Sequence, residues 1–150
     1  MKWLSLVMLI GFCSSAGAEW HAIALYKPFD FNDVGGSGAG LEWRTDKTWY
    51  VSGWIVNMRD EKQREIILQG YIRGGKHWTF HKIGICKPWF RFGGMMTNRQ
   101  TISNSSHFRF DTGAGCETGR FTFGLFHAST SKIYSGANRG ETNLGIMARF

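Results

Sequence analysis

The chain is 150 residues long, with 18 basic residues against 11 acidic ones, 15% aromatic residues and a formal charge of +7. This length fits one domain. The positive charge favours an anionic partner, which leaves nucleic acid, acidic lipid and phosphorylated glycan as candidates.

The N-terminal residues have the pattern of a secretory signal peptide. Lys2 supplies a positive charge, residues 4–12 form an apolar run, and residues 16–18 read Ala-Gly-Ala, a small-residue cleavage motif. The apolar run is about half of the ~20 residues that a spanning helix needs, so we expect no transmembrane anchor here. Cleavage after Ala18 would leave residues 19–150 as the mature domain, with 17 basic and 11 acidic residues and a charge of +6. Export argues against nucleic acid and favours envelope material such as lipopolysaccharide as the partner.

The predicted mature domain alternates apolar and polar residues in runs of about ten residues. In one run Phe121, Phe123 and Leu125 alternate with polar or small residues, and the last run ends on the apolar Phe150. A period of two indicates β-strands with one apolar face. The predicted strands span residues 20–26, 38–44, 49–58, 65–73, 77–86, 106–116, 120–129 and 142–150. We therefore predict an all-β protein, an eight-stranded antiparallel outer-membrane β-barrel.

The lengths of the predicted connections distinguish a membrane barrel from soluble all-β folds. A soluble sandwich or lipocalin-like barrel would show the same alternation, because it also buries one face of each strand. The connections alternate between short ones at 45–48, 74–76 and 117–119 and longer ones at 27–37, 59–64, 87–105 and 130–141. Short periplasmic turns and longer external loops are typical of an outer-membrane barrel. Residues 89–96 stay open, since they can extend the fifth strand or form a strand of their own.

The predicted layout separates the two cysteines of the mature domain. Cys86 would lie at the outer end of the fifth strand and Cys116 at the periplasmic end of the sixth strand. Export permits disulfides, but this separation exceeds the distance that a disulfide can span. We therefore expect two free thiols.

A histidine and a serine share one face of the seventh predicted strand. His127 and Ser129 are two residues apart and continue the apolar face that carries Phe123 and Leu125. Polar groups against hydrocarbon cost free energy unless they are paired or used, which makes both residues functional candidates. A serine nucleophile needs a base, and the base needs an orienting carboxylate, for which Glu141 at the start of the last strand is a candidate. The alternative is an interfacial histidine, a strand-end hydroxyl and a loop charge.

The C-terminal part of the chain resembles the outer-membrane lipid A 3-O-deacylases. The resemblance consists of His127-Ala128-Ser129, a polar loop, Asn138-Arg139-Gly140-Glu141 and a last strand that ends in Phe150. These proteins are eight-stranded barrels with a serine hydrolase site on the lipid-facing wall. The resemblance implies that His127 is the base, Ser129 the nucleophile and Glu141 the orienting acid.

The same resemblance implies residues that bind substrate or the oxyanion, and it shows two departures from the family pattern. Thr130, Asn138 and Gly140 would line the site, with Thr130 where the family has an asparagine that helps to hold the oxyanion. The family's acid stands two residues after the glycine, whereas Glu141 follows Gly140 directly.

The sequence thus predicts a lipid A deacylase, a serine esterase that releases an ester-linked acyl chain from lipopolysaccharide in the outer leaflet without a metal or other cofactor. One alternative is a non-catalytic barrel whose external loops bind or shield a surface partner. Another is a soluble, lipocalin-like or sandwich protein that binds a glycan or lipid. A transport pore is not expected, because eight strands leave an interior that side chains fill. The oligomeric state is left open, and a homodimer is among the states allowed.

Overall fold

Eight antiparallel strands close into a single barrel in chain order. The computed structural model describes residues 18–27, 34–45, 48–60, 65–98, 107–129 and 140–150. Each strand pairs with the next along the chain, and the last pairs with the first to close the barrel. The strands are β1 Glu19–Lys27, β2 Val34–Arg44, β3 Trp49–Asp60, β4 Glu65–Thr79, β5 Lys87–Thr97, β6 Phe108–Thr118, β7 Phe121–Ser129 and β8 Glu141–Arg149. The predicted all-β, eight-stranded barrel is confirmed.

Many large apolar side chains of this barrel face outward. On β7, Phe121, Phe123 and Leu125 are exposed, whereas the intervening Thr122 is buried. The same arrangement continues around the wall, whose exposed side chains include Leu41, Val51, Ile55, Leu68, Ile72, Phe92, Met96, Phe108, Leu144 and Ile146. A soluble barrel or sandwich would bury such a face against its own core. An apolar exterior of this extent is instead typical of a barrel in contact with lipid.

The interior of the barrel holds buried charges that pair with one another. The Glu42 carboxylate accepts hydrogen bonds from Arg44 (2.6 Å), Arg73 (3.2 Å) and Arg91 (3.0 Å). Asp111 accepts a hydrogen bond from the Tyr50 hydroxyl at 2.8 Å. Buried charges are tolerated when they are paired in this way. The carboxylates of Glu42 and Asp111 therefore have hydrogen-bonding partners inside the barrel.

Aromatic rings flank the same guanidinium groups. The guanidinium carbon of Arg73 lies 4.1 Å from the centre of the Trp54 ring, and that of Arg91 lies 3.9 Å from the centre of the Phe126 ring. Such stacking supplies contacts to the flat faces of guanidinium groups whose edges form hydrogen bonds. Side chains therefore fill the described interior, as expected for eight strands.

The structure corrects the predicted boundary between the fourth and fifth strands. The predicted turn at 74–76 lies inside β4, which continues to Thr79, and the open segment 89–96 belongs to a strand of its own, β5. Gly75 pairs with Gly93 on β5, and a Cβ atom on Gly75 would collide with the backbone of Phe92. The glycines that resemble a turn in the sequence therefore mark a close approach of two strands. The number of strands stays at eight because two predicted strands merge.

The same shift brings the two cysteines together. Cys86 and Cys116 form a disulfide, with their Cα atoms 5.4 Å apart. Cys86 lies just before β5, whose Pro88 pairs with Cys116 on β6, so both cysteines are at the end of the barrel that holds the chain termini. The prediction of two free thiols was wrong because it placed Cys86 at the opposite end.

The two longest connections, 98–107 and 130–140, are at the end of the barrel away from the termini. At the end with the termini the strands are joined by 45–48, of which 46–47 lie outside the described residues, by 80–86 and by the turn at 119–120. At the other end the chain connects its strands through 28–33, 61–64, 98–107 and 130–140, most of which lie outside the described residues, as does the predicted signal peptide up to residue 17. Among the residues described, none forms a helix long and apolar enough to cross a membrane.

Candidate active site on the barrel wall

His127 lies on the outer face of β7, near the end away from the chain termini. The residue is exposed, and it pairs directly with Thr142 on β8 and with Thr112 on β6. Its Nδ1 atom is 3.0 Å from the Thr142 hydroxyl oxygen, which is a hydrogen-bonding distance. The Thr112 hydroxyl donates a hydrogen bond to the backbone carbonyl of His127 at 3.4 Å, so its partner is the backbone and not the ring. The imidazole therefore has a hydroxyl group as its partner on the neighbouring strand.

Ser129 follows His127 on the same face of β7. With a rise of about 3.3 Å per residue, the two Cα atoms are about 6.6 Å apart along the strand. Ser129 is half-buried and pairs with Phe110 on β6. Within the described residues no hydrogen bond joins its hydroxyl to the ring, whose Nδ1 atom has Thr142 as its partner.

Gly140 lies directly beside the imidazole ring of His127. Its backbone φ is +66°, a conformation that favours glycine, and a Cβ atom at this position would lie 2.6 Å from His127 Nε2 and still closer to Cε1. No larger residue fits there without moving the ring. The structure thus places Gly140 beside His127, where its lack of a side chain leaves room for the ring, and its predicted role in binding substrate or the oxyanion stays a prediction.

Glu141 does not meet His127, which corrects its predicted placement. Its side chain is 1% exposed and points into the barrel, where its Oε1 atom is 2.9 Å from Arg109 and its Oε2 atom accepts a hydrogen bond of 3.2 Å from the Tyr71 hydroxyl. Glu141 pairs with the inward-facing Ala128. Alternation along a strand places neighbours on opposite faces, so the residue next to an outward-facing one faces inward. The carboxylate therefore belongs to the interior network.

Sequence reasoning missed Thr142 as the partner of His127. Thr142 is in phase with the outward-facing Leu144 and Ile146, and it stands two residues after Gly140. That phase was the available signal, because direct cross-strand partners share a face. The predicted substrate-binding residues Thr130 and Asn138 lie outside the described residues.

An apolar groove begins directly beside this group of residues. It has a volume of about 670 Å³ and crosses the outer wall formed by β1, β8, β7 and β6. The small side chains of Ala24 and Ala114 leave space among larger neighbours. Leu125 and Leu144, which line it, are the next outward residues after His127 and Thr142 on their strands. The groove therefore begins one outward residue away from His127 and Thr142, on the side toward the middle of the barrel wall.

A second cavity, of about 360 Å³, lies at the end of the barrel that holds the termini. Several of its charges are paired: Glu117 is 2.6 Å from Arg44 and 3.2 Å from His77, and Glu19 is 2.8 Å from Arg149. These ion pairs account for the polar character of the cavity. In the described part of the chain, no group of three or more His, Cys, Asp or Glu residues is arranged to hold a metal ion.

Comparison with known proteins finds likeness in structure alone. No family model matches the sequence, and no curated protein matches it. A de novo designed transmembrane β-barrel superimposes with a TM-score of 0.55 at 8% identity, covering 91% of this chain and 98% of the design. The chain has the fold of small outer-membrane barrels.

Two natural barrels support the same conclusion. The N-terminal β-barrel domain of Pseudomonas aeruginosa OprF gives a TM-score of 0.54 at 16% identity, covering 89% of this chain and 98% of that domain. The outer-membrane enzyme PagL gives a TM-score of 0.52 at 13% identity, covering 87% of this chain and 98% of PagL. At such identities the likeness establishes the fold and leaves the activity to be argued from the site.

Proposed function

We propose that the protein is an outer-membrane serine esterase that removes an ester-linked acyl chain from lipid A. The observation that carries this proposal is a histidine and a serine on the apolar outer wall, close to an apolar groove of about 670 Å³ that begins at the next outward residue from His127. Polar groups facing lipid cost free energy unless they are paired or used. A soluble substrate would not reach a nucleophile that faces the hydrocarbon of the membrane.

The proposed location follows from the direction of the strands. The apolar exterior would lie in the outer membrane after export with the help of residues 1–18, and the end with the short turns would face the periplasm. Because β7 runs from that end to the opposite one, Ser129 would lie in the outer leaflet. Lipopolysaccharide is the lipid that an outer-leaflet nucleophile would contact.

In the proposed reaction the Ser129 Oγ atom attacks the ester carbonyl carbon while His127 takes the hydroxyl proton. The tetrahedral intermediate collapses, the carbon–oxygen bond to the sugar breaks, and His127 returns the proton to the leaving sugar oxygen. Water then attacks the acyl-serine ester, again with His127 as the base. The products are a free fatty acid and a lipid A with one more hydroxyl group, and no metal is required. Thr130 is proposed to donate a hydrogen bond to the oxyanion.

The test is mass spectrometry of lipid A from cells that express the native chain or the Ser129→Ala variant at equal abundance in the outer membrane. We expect the native chain to yield lipid A that has lost one acyl unit and the variant to leave lipid A intact. Ser37→Ala, which removes an exposed hydroxyl from β2, is the matched control and should retain activity. Unchanged lipid A with the native chain, when the susceptible ester is present, would contradict the proposal.

A second candidate is a non-catalytic barrel whose external loops bind or shield a surface partner. It is favoured by the position of Glu141, whose carboxylate is bound to Arg109 in the interior and cannot orient His127. This candidate predicts that Ser129→Ala has no effect, whereas changes in the external loops abolish function. Recovery of the protein from the soluble periplasm would contradict both candidates.

A further inference from the structure

We propose that the Thr142 hydroxyl positions the His127 imidazole in place of a carboxylate. The inference deepens the proposed function and rests on it, because it concerns the base of the same site. The two residues are direct partners in the β7–β8 register, and the His127 Nδ1 atom is 3.0 Å from the Thr142 Oγ1 atom. Both are exposed on the outer wall.

The surroundings of the ring leave Thr142 as the described partner of Nδ1. Gly140 lies beside the Cε1–Nε2 edge of the ring, where a Cβ atom would be 2.6 Å from Nε2, and the Thr112 hydroxyl is bound to the His127 carbonyl. Asp111 and Glu141 lie next to Thr112 and Thr142 in the sequence, but both side chains are buried.

These two nearby carboxylates are occupied inside the barrel. Asp111 binds the Tyr50 hydroxyl at 2.8 Å, and Glu141 is 2.9 Å from Arg109. To reach His127, either would have to cross from the inner to the outer face of the sheet. The strand register therefore keeps both acids away from the ring.

A hydroxyl orients a histidine differently from a carboxylate. It can accept a hydrogen bond from Nδ1–H, which leaves the Nε2 lone pair available to Ser129, but it can also donate to an unprotonated Nδ1. A carboxylate only accepts, so it selects one tautomer and also stabilises the imidazolium that forms during the reaction. With Thr142 the ring is held in place by a partner that carries no charge. We therefore expect a lower kcat than the same site would have with a carboxylate bound to the ring.

The first experiment changes the partner and measures kcat and KM on lipid A in detergent micelles with the refolded full-length barrel. We expect Thr142→Val, which keeps the shape and removes the hydroxyl, to lower kcat about tenfold with little change in KM, the factor set by one lost hydrogen bond. Thr142→Ser should restore native kcat. Thr142→Asp or Thr142→Glu should raise kcat about tenfold, because a charged acceptor forms a stronger bond. Thr79→Val, at an exposed threonine near the other end of the barrel, is the matched control.

The second experiment reads the contact without relying on activity. Nitrogen-15 NMR of histidine-labelled protein in micelles, with His127 assigned through His127→Gln, reports the tautomer and hydrogen bonding of the ring. We expect the Nδ1 resonance of His127 to shift in Thr142→Val and to return in Thr142→Ser.

The two readouts separate failure of the inference from failure of the proposed function. An unchanged His127 resonance in Thr142→Val would overturn the inference, even if the native protein hydrolyses lipid A. A shifted resonance together with a lower kcat would support it. A shifted resonance in a protein without esterase activity would support the positioning contact and contradict the proposed function.

Discussion

Single residues at the candidate site are constrained by the backbone as much as by chemistry. Gly140 has a positive φ and lies under the His127 ring, so its lack of a side chain determines where the imidazole sits. Gly119, in the turn between β6 and β7, has a similar φ of +59°, but a Cβ atom there would meet nothing within 4 Å. Both glycines therefore have a positive φ, but a side chain added at Gly140 would meet the His127 ring and one added at Gly119 would meet no other atom.

This difference yields a prediction about Gly140→Ala. We expect the substitution to displace His127 and to lower kcat on lipid A, in addition to a backbone strain of about 1–2 kcal/mol. Gly119→Ala should show a similar loss of stability with native activity. Urea unfolding in micelles and an esterase assay on both variants would measure the two effects. Native activity in Gly140→Ala would show that the ring does not depend on this glycine.

At the scale of the strands, small outward-facing residues shape the wall beside the site. Ala114 on β6 pairs with Leu125 on β7, which in turn pairs with Leu144 on β8. These three residues line the apolar groove. On β7 and β8 they lie two positions from His127 and Thr142, on the side toward the middle of the barrel. An acyl chain whose ester lies at Ser129 would descend along it toward the middle of the membrane.

We therefore expect Ala114→Phe to alter the preference for chain length. The larger side chain would fill the groove, so esters of long acyl chains should lose about tenfold in kcat/KM relative to short ones, given the about 1–3 kcal/mol that a methylene contributes in an apolar pocket. Ile55→Phe, at an exposed position on β3 outside the groove, is the control. Equal losses on long and short esters would show that the acyl chain lies elsewhere.

At the scale of the whole molecule, the barrel is organised around charges buried in its interior. Glu42 is fully buried and is bonded to Arg44, Arg73 and Arg91. Removal of one partner from such a group leaves uncompensated charges in a medium that solvates them poorly. The network should therefore contribute far more to stability than ion pairs at the rim of the barrel.

Two substitutions of the same kind test this difference. We expect Glu42→Gln to lower the free energy of unfolding by about 3–5 kcal/mol, as is found when one partner of a buried ion pair is removed. Glu19→Gln removes a half-exposed partner of Arg149, and it should cost less than about 1 kcal/mol. Urea titration of both variants in micelles measures the costs. Equal costs would mean that the buried network adds little to stability.

Much of the fold and part of the site could be predicted because they depend on local patterns. Alternation of apolar and polar residues identifies strands and their faces wherever it occurs, and it placed His127 and Ser129 on the apolar face of β7. The predicted seventh strand, 120–129, differs from the observed Phe121–Ser129 by one residue. A period of two needs no knowledge of any other strand.

What the tertiary structure decided is what depends on the pairing between strands. Gly74 and Gly75 resemble a turn in the sequence, but they lie within β4, where Gly75 closely approaches β5. The fifth strand therefore begins later along the chain than predicted, and Cys86 comes next to Cys116. The partner of His127 is likewise set by the β7–β8 register, which places Thr142 outside and Glu141 inside. A slip of one residue reverses the face of every side chain on a strand. The sequence by itself thus determined that the chain forms strands with one apolar face and where most of them lie, and only the closed barrel decided the bounds of β4 and β5 and which residues meet, because register is settled by contacts between segments distant along the chain.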